Sequence, residues 1–69
     1  MRLNTHDYQS LAGDAALLER EGLFEQAKAY WLSAARVANA ENRQWANNRA
    51  HVCEMREIRI ATKRTRKAA

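Results

Sequence analysis

Residues 18–35 read LEREGLFEQAKAYWLSAA, in a chain that has only two glycines and no proline among its 69 residues. The placing of Gly22 decides the architecture. It falls between two apolar-periodic runs, where a residue that tolerates the left-handed backbone closes a helix. Upstream, Tyr8, Leu11, Ala15 and Leu18 recur at intervals of three and four, one stripe of a first helix. Downstream, Ala27, Trp31, Ala34 and Ala38 share one face of a second helix, with Tyr30 and Val37 on an adjacent one. The alanines lower the side-chain height so that helices approach, while Phe24 and Trp31 supply buried area.

The punctuation predicts an all-α protein, a three-helix bundle with no sheet. Helix one is expected over 4–21, with Asn4 as N-cap, Asp7 in its first turn and Leu3 stapled to Tyr8. Gly13 costs this helix stability unless it admits a neighbour closely. Helix two is expected over 24–39, with Asn39 as a left-handed stop. Helix three is expected over 42–61, capped by Asn42 and carrying Trp45, Arg49, Val52, Cys53, Met55, Ile58 and Ile60. Both tryptophans fall on apolar stripes and read as core. The segment 62–69, TKRTRKAA, has no apolar period and reads as a basic, disordered tail.

Composition bounds the function. One domain at most fits this length, and a core this small supplies only roughly 3–5 kcal/mol, so association with another chain is expected to contribute to stability. Homo-oligomerisation, most simply a dimer, is the expectation. A single cysteine allows no internal disulfide and no zinc cluster. No apolar run reaches the roughly 20 residues of a membrane span, and the N-terminus lacks the apolar core of a secretory signal, which points to the cytoplasm. Charge is uneven: residues 1–42 hold four cations and six carboxylates, residues 43–69 eight cations and two. The basic end suits nucleic acid or an acidic protein surface, and Lys63, Arg64, Arg66 and Lys67 are its candidate phosphate contacts.

Little in the sequence suggests catalysis. His51 and Cys53, two apart on a helix, lie about 200° around its circumference and cannot share a metal or act as base and nucleophile. His6 is remote from both. Glu19 and Glu21 flank Arg20 at a helix end and read as solvated surface. No catalytic, cofactor, metal or small-molecule site is expected. Tyr30 and Val37 lie off the core stripe of helix two, and Met55 and Ile58 lie off that of helix three beside Arg56, Glu57 and Arg59. Apolar residues rimmed by charge suggest docking. Tyr30, Val37, Met55 and Ile58 are the expected anchors for a partner helix, with Arg56 and Arg59 steering it.

The interval Gly22, Phe24, Ala27, Trp31, Ala34 resembles the second half of a tetratricopeptide repeat, and Trp45 falls where a following repeat places its leading tryptophan. The chain thus looks like one and a half such repeats, whose open apolar side needs covering. Over roughly residues 8 to 56 it also resembles the ANR family, small bacterial negative regulators of AraC/XylS-type transcription activators. The residues that carry this likeness are Leu18, Glu19, Gly22, Ala27, Trp31, Ala34, Ala35, Ala38, Asn42, Trp45, Arg49 and Cys53. The resemblance implies a regulator that binds an AraC/XylS-type activator and prevents it from activating, by contact between proteins. LEREGLFEQAKAYWL is similar to PerC-like regulators as well, which would imply DNA contact through the basic C-terminal segment. The three-helix plan also resembles tetratricopeptide and MIT-like peptide-binding adaptors.

Overall fold

A computed structural model describes residues 7–68, with side chains for 7–63. Among these residues the protein is all-α: helix α1 spans Tyr8–Arg20, α2 Phe24–Val37 and α3 Ala40–Ala68. Asp7 caps α1, its carboxylate accepting from the Ser10 backbone N–H at 2.8 Å, so the helix starts one turn later than a cap at Asn4 would require. The expected Asn4 cap and Leu3 staple lie outside the described residues.

The α1–α2 turn is a Schellman closure. The Leu23 N–H reaches back to the Leu18 carbonyl at 2.9 Å and the Gly22 N–H to the Glu19 carbonyl at 3.0 Å. Gly22 sits at φ +80°, the left-handed region that its sequence position predicts. Gly13, by contrast, is exposed with open space around the position of a Cβ, so it admits no neighbouring helix.

The second turn corrects the sequence reading. Asn39 is not a left-handed stop but the N-cap of α3, its side-chain oxygen accepting from the Asn42 N–H at 2.8 Å. Asn42 lies inside the first turn, because an asparagine three residues before a free N–H caps it without any unusual backbone angle. Arg43 then closes α2, donating Nη2 to the Ala38 carbonyl at 3.0 Å and Nε to the Ala35 carbonyl at 3.3 Å. A cation there also meets the negative end of the α2 dipole.

α2 packs against both other helices, whereas α1 and α3 barely touch. The core is built largely of alanine: Ala15, Ala27, Ala34, Ala35, Ala46 and Ala50 are buried, together with Cys53. Phe24 and Trp31 supply its bulk, at 9% and 4% exposure. Tyr8, Leu11, Leu18 and Ile60 pack on its margin. Trp45 is the main departure. It is 55% exposed, because α1 does not cover the flank of α3 on which it stands.

The segment 62–68 is helical rather than disordered, and α3 runs for 29 residues against 13 and 14 in α1 and α2. Arg, Lys, Ala and Thr without Gly or Pro let a helix nucleated on the core propagate outward.

The two glycines should respond oppositely to alanine. Gly13→Ala is expected to stabilise by about 0.5–1 kcal/mol and Gly22→Ala to destabilise by about 1–2 kcal/mol in urea unfolding. In fluorescence, Trp45→Phe should leave a blue-shifted indole shielded from acrylamide. Trp31→Phe should leave a red-shifted, quenchable one. Equal quenching of the two would contradict the packing described here.

Candidate functional site

The polar centre of the molecule is Glu19. It stands four residues after the fully buried Ala15, so helical periodicity turns it toward the neighbouring helices, not to solvent. Its Oε2 accepts the indole Nε1–H of Trp31 at 2.5 Å and Nε of Arg49 at 3.4 Å, while Arg49 Nη2 forms a charged hydrogen bond to Oε1. The Cys53 thiol is buried near enough to the same carboxylate to feel its charge. One side chain of α1 is therefore tied to α2 and α3 together. The expectation of a solvated Glu19 is corrected: its side chain is 12% exposed and that of Arg49 29%.

These partners set the protonation states. Burial pushes the Glu19 carboxyl up, but the bonds from Arg49 and Trp31 and the Arg49 charge outweigh it and hold the group below its ordinary value. The same hydrogen bond pushes the Arg49 guanidinium further up. Burial first, then the Glu19 charge, raise the Cys53 thiol to about 11. A protonated thiol is a poor nucleophile, so Cys53 serves as small packing at the seam. Above the carboxylate, the Arg49 guanidinium also lies 5.9 Å from the centroid of the Trp45 ring, which steadies that exposed indole.

The residues singled out from the sequence divide into two sets. Leu18, Glu19, Gly22, Ala27, Trp31, Ala34, Arg49 and Cys53 gather around the turn and this polar centre. Asn42 and Trp45 instead line an open cleft of about 530 Å³ with Tyr8, Glu41, Gln44 and Asn48, between the N-terminal ends of α1 and α3. The docking residues are exposed, Tyr30 at 40%, Val37 at 51%, Met55 at 48% and Ile58 at 50%, but they do not form one patch. Tyr30 and Val37 border a cleft of about 410 Å³ with Leu11 on the α1 edge of α2. Ile58 borders another on the opposite edge, with Glu25, Lys28, Glu54 and Glu57, where Lys28 pairs with Glu54 at 3.7 Å. Arg56 lies over the Phe24 ring, 5.6 Å from its centroid, and shares a cleft with Arg59 and Ile60. Lys63 is exposed, and the side chains of Arg64, Arg66 and Lys67 lie outside the described residues.

Among the described residues no group of histidine, cysteine and carboxylates is placed to hold a metal ion, and no helix is long and apolar enough to cross a membrane. Comparison of the chain with family models, curated proteins and solved structures finds no match.

Removing the carboxylate should weaken all three helices at once. Glu19→Ala is expected to cost about 2–3 kcal/mol and Glu19→Gln less, because Gln keeps an acceptor for Trp31. Since the folded carboxyl titrates below its unfolded value, its contribution is complete above about pH 5 and is lost as the pH falls through the folded value. Urea midpoints measured across this range should fall for the wild type and stay flatter for Glu19→Gln. Maleimide labelling of Cys53 in native buffer should be slow and should become fast in denaturant.

Proposed function

We propose that this protein is a small transcription regulator of the ANR type, acting by contact with an AraC/XylS-family activator that it inhibits. What supports the reading is the convergence of Glu19, Trp31, Arg49 and Cys53. These four residues are among those that carry the resemblance, are spread over three helices, and meet around one carboxylate that Trp31 and Arg49 hydrogen-bond. Their role in this reading is to hold the helices in the arrangement that exposes a partner surface.

That surface is the α1–α2 cleft. Tyr30 and Val37 flank it half exposed, Leu11 forms its apolar wall, and Arg36 stands at its rim. Apolar groups spaced seven residues apart along α2 suit a helix of the activator laid in the groove. Met55 and Ile58, on other faces of the molecule, remain for a second copy of the chain, and a cytoplasmic dimer is the form we propose. Arg56 and Arg59 steer acidic surfaces toward the complex.

The test is a pull-down against a panel of purified AraC/XylS-type activators, paired with a promoter reporter for each. Binding and repression by the wild type are expected. Both should be lost in Tyr30→Ala/Val37→Glu, whose circular dichroism should remain helical. Failure to bind or repress any activator in the panel would reject the reading. Sedimentation of a stably folded monomer at micromolar concentration would reject the dimer alone.

A further inference from the structure

We propose that the C-terminal part of α3 is a cationic arm that grips the phosphate backbone of duplex nucleic acid. The helix does not stop where the body of the protein stops. Phe24, the first residue of α2, lies level with Arg56, Arg59 and Ile60. Ile60 packs on the core margin, the next three residues are exposed, and the helix continues through Ala68. The protein is 52 Å long but only 23 and 13 Å across, in keeping with a helix that outruns its partners.

The composition of this arm selects its ligand. After Glu57 the sequence holds Arg59, Lys63, Arg64, Arg66 and Lys67 and no carboxylate, and beyond Ile60 its only apolar residues are alanines. A helix that docks on protein needs large apolar anchors at spacings of three, four and seven. This one has none, so its attraction is almost wholly electrostatic. At about 1.5 Å rise per residue, positions 59–67 span about 12 Å and carry roughly one cation per 2.4 Å. Duplex DNA carries about one phosphate charge per 1.7 Å, a comparable density that is independent of sequence. Arg59 and Lys63 enter no ion pair among the described residues and are free to meet it. Positions 59 and 63, 63 and 66, and 63 and 67 place like charges three or four apart, which weakens an isolated helix. Phosphates along the arm relieve that repulsion, so binding and helix formation reinforce each other.

None of these residues lines the Leu11–Tyr30–Val37 cleft, and apart from Arg59, which also steers the proposed complex, the arm has no part in the activator contact. The test is fluorescence anisotropy of a labelled duplex of arbitrary sequence, about 20 base pairs long, titrated at about 50 and about 200 mM salt. Affinity is expected to drop about 10²–10³-fold between the two conditions. Lys63→Gln/Arg66→Gln/Lys67→Gln, remote from the core, should lower the salt slope by about 3 while leaving the urea midpoint unchanged. Absent binding, salt-insensitive binding, or a triple variant that binds like the wild type would overturn the proposal. Poly-glutamate bound as tightly as the duplex would also overturn it, and would assign the arm to an acidic protein.

Discussion

The Glu19 carboxylate joins three helices that otherwise meet only pairwise. α2 packs on α1 and on α3, but α1 and α3 scarcely touch, so their mutual angle is set through α2 and has little direct apolar contact to hold it. The hydrogen bonds from Trp31 and Arg49 to Glu19 add a direct tie. A buried donor such as the Trp31 indole N–H must have an acceptor, and a buried carboxylate must have a cation. Each requirement answers the other here. Small displacements of α3 would leave two costly groups unsatisfied, so the polar centre acts as a register pin as much as a source of stability.

That pin operates in an unusually thin core. Alanines at Ala15, Ala27, Ala34, Ala46 and Ala50 bring the helix axes together but bury little area each. Among the described residues only Phe24 and Trp31 contribute large buried apolar side chains. Tyr8, Leu11, Leu18 and Ile60 are partly buried on the core margin, whereas Leu17, Leu32, Tyr30, Val37, Trp45, Met55 and Ile58 stand 40% exposed or more. Apolar bulk left outside in this way is the feature on which the proposed contact with another chain rests.

The electrostatics are divided along the same lines. Paired charge is concentrated at the centre and along the α2–α3 seam, in Glu19 with Arg49 and Lys28 with Glu54. Past Ile60, the sequence of α3 carries cations and no carboxylate. The Leu11–Tyr30–Val37 cleft shares no residue with the cationic end of α3, so these two surfaces are made of different side chains.

Local periodicity sufficed for the fold class, the left-handed turn at Gly22, the burial of Trp31 and the alanine stripe of α2, because each depends on residues within a few turns of one another. The cap at Asn39 was also within reach: it is a strong N-cap type three residues before Asn42, the same local rule that explains Asp7. Other features depended on where the neighbouring helices lie. Glu19 becomes a buried hub only because Trp31 and Arg49 arrive from 12 and 30 residues away. Trp45 lies on an apolar stripe as legible as that of Trp31, yet it is 55% exposed, because it borders an open cleft between α3 and the start of α1 where the described residues leave it uncovered. The extension of α3 beyond Ile60 likewise follows from the core against which the helix is nucleated. A sequence states which face of a helix is apolar, but whether that face is covered is decided by the length and placing of the helices beside it.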